Sequence, residues 1–193
     1  IYYNRKRDDV FIRGATINID STPSAPGAFS YSESSGFYVV KINGSALIEG
    51  TYTVAITLSK QYYETKSLTI RIDVNLIPTI ATSSLSSATT EYGLNLSVEF
   101  WYNRTDIDEG VAGASATYNI KNGSGYIILS DSLYDMGDGN YHLELNTTIV
   151  VAANNPSTVG PYTISVSFSK DHYESRSLLI SWNLLLFWIS PCH

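Results

Sequence analysis

The sequence contains almost no sulphur and little charge. Its one cysteine is Cys192, so the 193-residue chain cannot form an intrachain disulfide. Secreted eukaryotic domains of this size often carry such a bond, so its absence favours a prokaryotic source. Lys and Arg number 12 against 18 Asp and Glu, and the net charge is −6. This balance argues against nucleic acid as a partner, because phosphates require a basic surface.

The sequence also lacks the motifs of common enzymes. Its three histidines, His142, His172 and His193, do not form a pair at the spacing of a zinc site. There is no Gly-x-Ser-x-Gly nucleophile elbow and no glycine-rich phosphate loop. We therefore predict a protein without catalytic residues and without a cofactor, apart from the calcium alternative discussed below.

Two stretches, residues 50–60 and 160–170, alternate strictly between apolar side chains and small or hydroxyl side chains. Successive side chains of a strand point to opposite faces, so each stretch predicts a half-buried β-strand. Both copies keep the same phase. The predicted inward residues are Tyr52, Val54, Ile56 and Leu58 in the first copy and Tyr162, Ile164, Val166 and Phe168 in the second.

The similarity between the two halves extends beyond these strands. The matching pieces are Tyr3-Asn4 with Tyr102-Asn103, Gly14-Ala15 with Gly113-Ala114, Gly36-Phe37-Tyr38 with Gly139-Asn140-Tyr141, and Tyr63-Glu64 with Tyr173-Glu174. This internal repeat predicts two domains, residues 1–76 and 77–185, followed by a hydrophobic tail at 186–193. The first domain has no counterpart of the strand that leads the second, so we expect an excerpt from a longer array.

All predicted elements are short strands separated by turn residues, and no stretch has a helical period. About seven strands per roughly 90 residues is typical of an immunoglobulin-like sandwich. The predicted fold is therefore all-β, with two tandem immunoglobulin-like antiparallel β-sandwiches. The predicted strands cover residues 1–4, 15–20, 28–32, 37–42, 51–59, 67–74, 79–84, 95–103, 114–121, 126–130, 141–145, 162–169 and 177–184.

The apolar C-terminal segment leaves three interpretations open. Leu184, Leu186 and Trp188 could be donated as a strand to the incomplete first domain of a neighbouring molecule. Alternatively, the segment leads into a further repeat of a longer chain. A membrane anchor is the third interpretation, but a span needs about 20 apolar residues and Asn183 interrupts the run.

Two acidic loops cluster oxygen ligands around glycine. The carboxylates are Asp106 and Asp108 in one loop and Asp135 and Asp138 in the other. Calcium takes six to eight oxygen ligands, and such loops could supply them. Neither loop has the full Asp-x-Asp-x-Asp-Gly spacing, so the alternative is a pair of ordinary turns in which Asp and Gly supply positive φ.

Five Asn-x-Ser/Thr triplets are predicted glycan acceptors on an exported protein: Asn43, Asn95, Asn103, Asn122 and Asn146. Tyr62 and Trp101 are further surface candidates, because aromatic rings can stack on sugars or protein partners. The alternative is that these rings cover a sheet face.

The strand pattern Gly-x-Tyr with alternating hydrophobic positions, followed by Lys-x-x-Tyr-Glu, resembles tandem immunoglobulin-like repeats of large archaeal cell-surface proteins, including those of Asgard-type archaea. The matching residues are Tyr102-Asn103, Gly113-Ala114, Gly139-Asn140-Tyr141, Gly160-Pro161-Tyr162 and Lys170-Asp171-His172-Tyr173-Glu174. The same set recurs in the first domain. The resemblance implies an exported, repeated and non-catalytic spacer or adhesive module.

These observations predict an extracellular structural or adhesive module of a cell-surface protein or surface filament. Its partners would be neighbouring repeats or subunits and surface glycans, and the full-length chain would be tethered to a membrane elsewhere. The alternatives are a fibre subunit that assembles head to tail through its C-terminal tail, and a carbohydrate- or protein-binding module of an exported enzyme.

Overall fold

A computed structural model describes residues 1–153 and 159–186 of the protein. The chain divides into two compact units, Ile1–Leu76 and Ile77–His193, which we call unit 1 and unit 2. Each unit is built from β-strands in two sheets, as the alternating sequence pattern predicts.

Unit 1 contains a three-stranded sheet of order β1-β4-β5 and a hairpin of β2 and β3, all antiparallel. A short 3-10 turn, Gly44–Ala46, follows β3. The strands are β1 (Thr16–Thr22), β2 (Phe29–Ser34), β3 (Phe37–Ile42), β4 (Gly50–Ser59) and β5 (Lys66–Val74).

Unit 2 pairs a five-stranded sheet of order β10-β9-β13-β14-β7 with a four-stranded sheet of order β11-β12-β8-β6. Strands β7 and β14 are parallel to each other, and the other pairs are antiparallel. The strands are β6 (Thr79–Ser83), β7 (Ser87–Glu91), β8 (Asn95–Arg104), β9 (Ser115–Asn122), β10 (Ile127–Ser132), β11 (Tyr134–Gly137), β12 (Asn140–Asn146), β13 (Gly160–Ser169) and β14 (Arg176–Leu185).

The strand order of unit 2 confirms an immunoglobulin-like sandwich. The sheet β6-β8-β12-β11 has the A-B-E-D order of that fold, and β9-β13-β14 has the C-F-G order. Strand β10 adds a further strand beside β9, as in variable-type domains. Unit 1 contains the equivalents of β9, β13 and β14 in the same pairing, namely β1, β4 and β5, and its hairpin of β2 and β3 corresponds to β11 and β12.

The predicted inward faces of the two copied strands form the centre of each core. All eight predicted side chains are at most 3% exposed. The alternation also predicts Ile42 and Leu68 as inward residues, but these two side chains are 47% and 43% exposed. Tyr52 lies near the start of β4, and its hydroxyl donates to the carbonyl of Ile48 at 3.2 Å, which is the tyrosine corner of immunoglobulin-like domains. Tyr162 occupies the same position in unit 2.

The prediction of no helix is wrong at one place, because α1 spans Thr147–Ala153. Its β-branched residues have weak helical propensity, which is why no helical signal is visible. Two tertiary features compensate for this weak helical propensity. The Oδ1 atom of Asn146 accepts the backbone N–H of Thr148 at 2.9 Å, as an N-cap does, and Val150 is fully buried in the core.

Two strands of unit 2, β7 and β11, lie outside the predicted strands. The leading strand ends at Ser83 and a second strand, β7, crosses to the other sheet. Likewise β10 and β11 belong to opposite sheets, and Leu133 between them is buried. At the N-terminus, residues 1–4 form only an isolated bridge from Asn4 to Phe11, although Ile1 and Tyr38 exchange two backbone hydrogen bonds of 2.7 and 2.8 Å.

Candidate functional site

The repeated motifs meet in one loop cluster in each unit. In unit 2 this cluster consists of the residues 105–114, 136–139 and 170–175, and in unit 1 of the residues 5–15, 35–36 and 60–65. Its loops connect strands that lie in different sheets or at the end of a hairpin. Because the matched sequence pieces converge here, the loop cluster is the place to look for a repeated site.

A buried tyrosine hydroxyl ties two turns together in each cluster. Tyr141 donates to the carbonyl of Val111 at 2.8 Å and accepts the N–H of Ala114 at 2.9 Å. Tyr38 makes the same two bonds in unit 1, to Ile12 and from Ala15, at 2.8 and 2.9 Å. Both rings are 1% exposed. The Gly-Ala and Gly-x-Tyr motifs are therefore joined by the hydrogen bonds of one tyrosine hydroxyl, an arrangement that we call the lock of each unit.

Charged side chains also bind backbone atoms of each cluster. The Asp135 carboxylate accepts the N–H of Gly113 at 3.0 Å, and Glu33 accepts that of Gly14 at 2.8 Å. Lys170 donates through Nζ to the carbonyl of Ala112 at 2.5 Å. Unit 1 has the equivalent contact, from Lys60 to the carbonyl of Arg13.

The Tyr-Asn motif closes the cluster from the opposite side. The Tyr102 hydroxyl donates to the carbonyl of Glu174 at 2.6 Å, and the Tyr3 hydroxyl donates to that of Glu64 at 2.7 Å. Burial raises the pKa of Tyr38, Tyr102 and Tyr141 above the ordinary phenol value, because a phenolate would be poorly solvated there.

The two acidic loops of the calcium prediction touch each other, but two of their carboxylates already have partners. Asp106 is held by Arg104 through bonds of 3.0 and 2.7 Å, and this contact lowers the pKa of Asp106. Asp135 binds the backbone N–H groups of Gly113 and Gly137. Asp108 and Asp138 have positive φ of 51° and 49°, as turn residues do. Within the described parts of the chain, no group of three acidic, His or Cys side chains could hold a metal ion. Calcium binding stays a prediction.

Sequence reasoning missed a backbone contact between the same loops. A Cβ on Gly110 would lie 1.8 Å from the carbonyl oxygen of Asp138. A Cβ on Gly139 would lie 2.6 Å from the backbone of Gly110, Tyr102 and Val111. The sequence signal for this contact is the glycine at the end of each acidic loop, which an ordinary turn explains equally well.

The five sequon asparagines occupy different surroundings. Asn43 and Asn146 are exposed, and each follows or ends the strand that carries the locking tyrosine. Asn95 is exposed on β8 and donates to Glu144 Oε1 at 2.9 Å. Asn103 and Asn122 are half-buried, at the end of β8 and in the β9–β10 turn.

Of the three residues predicted for strand exchange, Leu184 lies in β14 and is fully buried in the core of its own unit. A donated strand that included Leu184 would have to leave that core. Leu186 is 55% exposed and Trp188 lies outside the described residues. Of the two predicted surface aromatics, Tyr62 is 94% exposed and Trp101 is half-buried.

No helix in the described ranges is both long and apolar enough to cross a bilayer. No protein-family model matches the chain, and no curated protein is significantly similar to it. Similar solved structures exist at low identity. Domains 1–6 of the surface layer protein SbsC align at 11% identity over 89% of this chain and 20% of that chain, with a TM-score of 0.39.

Two further solved structures span different kinds of protein. CopC from Methylosinus trichosporium OB3b aligns at 8% identity over 56% of this chain and 94% of that chain, with a TM-score of 0.38. The adhesin InvE of Yersinia pseudotuberculosis aligns at 12% identity over 93% of this chain and 52% of that chain, with a TM-score of 0.32. These values assign no function, and they give no support to an archaeal origin.

Proposed function

We propose that this chain is a non-catalytic structural or adhesive module of an extracellular surface protein or surface filament. One observation carries the proposal. The side chains that recur in both units, such as Tyr38 with Tyr141 and Lys60 with Lys170, are engaged in bonds that hold their own sandwich together. A repeat that preserves internal locks suits a protein whose work is to keep its shape.

The surface chemistry supports the same proposal. The outward face of β4 and β13 presents mainly Thr and Ser, which hydrate well without strong charge. Partners would be neighbouring repeats or subunits, with a membrane tether elsewhere in the full-length protein. Binding to surface glycans through rings such as Tyr62 is a weaker proposal, and a glycan array on the purified chain would test it.

The decisive test is the location of the protein on its source cells. Antibodies against the chain should label intact cells in immunogold electron microscopy, with no gain after permeabilisation. The same antibodies adsorbed with purified chain serve as the control. Label that appears only in permeabilised cells would contradict the proposal.

A second candidate function is a fibre subunit that accepts a strand from its neighbour. The observation that favours it is the outer edge of β5, along which no strand lies in the described chain. In unit 2 the equivalent edge of β14 is covered by β7. There the N–H of Ser181 donates to the carbonyl of Ser86 at 3.2 Å. The donor would start after β14, at Leu186, because Leu184 is part of its own core.

Two variants test the fibre. Removal of residues 186–193 should abolish filaments seen by negative-stain electron microscopy. Arg71→Pro should weaken them, because Arg71 is equivalent to Ser181 and its N–H would face the free edge. Arg71→Ala is the matched control and should still assemble. A full-length chain that remains monomeric at high concentration contradicts this candidate.

A further inference from the structure

We propose that Asn43 and Asn146 are the N-glycan acceptors of this chain, one at the same place in each unit. Each lies five residues after the locking tyrosine, Tyr38 or Tyr141, where the strand leaves the sheet. A short helical segment follows in both units, the 3-10 turn Gly44–Ala46 and the helix Thr147–Ala153. Of the five sequons, only this pair recurs at equivalent positions.

The sequon hydroxyl makes the same contact at both asparagines. Ser45 donates through Oγ to Asn43 Oδ1 at 2.7 Å, and Thr148 donates through Oγ1 to Asn146 Oδ1 at 2.5 Å. The sequon hydroxyl thus engages the amide oxygen. No described residue accepts a hydrogen bond from Nδ2 of either asparagine, and Nδ2 is the atom that an N-glycan occupies. Both side chains are exposed, so a bulky glycan meets solvent.

The other three sequons fit a glycan less well. At Asn95, Nδ2 itself donates to Glu144 across the β8–β12 pair at 2.9 Å. At Asn122, Oδ1 accepts the N–H groups of Ser124 and Tyr126, both at 3.1 Å, and so closes the β9–β10 turn. Asn103 is half-buried, and its backbone bridges to Gly110. A glycan on Nδ2 of Asn95 would have to displace that bond, and a glycan at Asn103 or Asn122 would start from a half-buried side chain.

The consequence for the proposed surface module is a regular glycan pattern. Each repeat would carry one glycan at the exit of the same strand, beside the connection to β4 or β13. The inference rests on the proposed export of the protein, because N-glycans are added along the secretory route. Whether the two asparagines can be glycosylated is a separate question, which expression in a foreign host can answer.

The experiment is secretion of the whole chain, fused to a signal peptide, from a glycosylating eukaryotic host, with site occupancy measured by peptide mass spectrometry. A sequon in an appended tag serves as the internal positive control. We expect high occupancy at Asn43 and Asn146 and low occupancy at the other three asparagines. Ser45→Ala and Thr148→Ala should each remove one glycan. Ser45→Thr and Thr148→Ser keep the sequon and should retain it.

Two results would overturn the inference. One is a glycosylated tag on a chain that is empty at Asn43 and Asn146, and the other is preferential occupancy of Asn95, Asn103 or Asn122. Either result leaves the surface location untouched, because immunogold labelling of source cells decides that. Conversely, a cytoplasmic location in the source cells would remove the biological role of the sites without changing their occupancy in the host.

Discussion

Strands β5 and β14 carry the same alternating pattern in different surroundings. In unit 2, Ile180, Trp182 and Leu184 on β14 are at most 1% exposed, with β7 parallel along the outer edge of the strand. Their equivalents in unit 1 are the inward residues of β5, which are only half-buried: Ile70, Ile72 and Val74. The difference shows that alternation decides which way a side chain points, whereas neighbouring strands decide how completely that side chain is buried.

The loop clusters differ in a complementary way. Their polar locks are the same in both units, but the backbone packing behind them is not. Gly110 lies against the carbonyl of Asp138, whereas the equivalent bridge residue in unit 1 is Phe11, whose ring packs 5.1 Å from that of Tyr38. In unit 1 the Phe11 side chain therefore occupies the place at which two backbone segments meet in unit 2.

Matched substitutions at Ile180 and Ile70 should have the largest difference in effect. Ile180→Ala removes a fully buried side chain and should lower the free energy of unfolding of unit 2 by about 2–5 kcal/mol. Ile70→Ala should cost unit 1 only about 1–2 kcal/mol, because that side chain is already partly hydrated. All three tryptophans, Trp101, Trp182 and Trp188, belong to unit 2, so their fluorescence reports its denaturation.

Unit 1 lacks tryptophan, so amide hydrogen exchange of β4 reports its stability. Leu179→Ala is the surface control for unit 2, since Leu179 is 70% exposed and should change little. Equal losses of unfolding free energy for Ile180→Ala and Ile70→Ala would contradict the view that the core of unit 1 is less completely buried.

The glycine pair sharpens the comparison at the loop clusters. Gly139 and Gly36 are equivalent and both have positive φ, 74° and 93°. Ala at either site costs about 1–2 kcal/mol of backbone strain. Only Gly139→Ala adds a collision, with three backbone atoms 2.6 Å away, whereas Gly36 has open space around it. We expect Gly139→Ala to lower the stability of unit 2 by about 2–4 kcal/mol in total.

Denaturant titrations of both variants would measure this difference. The unit that is not substituted provides the internal control, because its transition should not move. If Gly36→Ala costs as much as Gly139→Ala, then the close approach of Gly110 and Gly139 does not restrict this position.

The fold class follows from local pattern, and its exceptions follow from contacts between distant residues. Strict alternation at 50–60 and 160–170 is enough to define two central strands and their inward faces. The sequence has no comparable signal where the chain changes sheets, at 84–86 and at Leu133, because a change of sheet depends on which strand is already in place. The exposure of Leu68 has a related origin, since Leu68 is in phase with Ile70 and Ile72 but no strand of the described chain lies along the outer edge of β5.

The repeated motifs were visible as sequence, but their chemistry was not. The Gly-Ala and Gly-x-Tyr pairs lie more than 20 residues apart in each unit, and nothing local shows that one tyrosine hydroxyl joins them. The helix at 147–153 was missed for a related reason. Its support comes from the Asn146 cap and from the burial of Val150, and not from helical propensity.

Tyr141→Phe and Tyr38→Phe test whether the lock is equivalent in both units. Each change leaves one backbone carbonyl and one N–H without their phenol partner, which should cost about 1–3 kcal/mol. The two losses should be similar, because the two hydroxyls make the same pair of bonds at matching lengths. Tyr126→Phe, at a 72% exposed residue, is the control. A loss of stability in only one unit would show that the tyrosine hydroxyl does not have the same role in both units.

Alkaline pH should produce the smallest and most gradual difference between the units. Burial raises the pKa of Tyr102, Tyr118 and Tyr141 in unit 2 and of Tyr38 in unit 1. A raised folded-state pKa means that folding favours the neutral phenol. Its contribution is therefore complete below the unfolded value of about 10 and is lost as the pH rises through the higher folded-state pKa.

Since unit 2 contains three of the four groups, its stability should fall more steeply above pH 10 than that of unit 1. Denaturation of the wild type and of Tyr141→Phe between about pH 8 and 11.5 measures this slope, and the variant should show the shallower one. A stability of unit 2 that stays flat across this range would contradict the assignment of neutral, buried phenols to the lock.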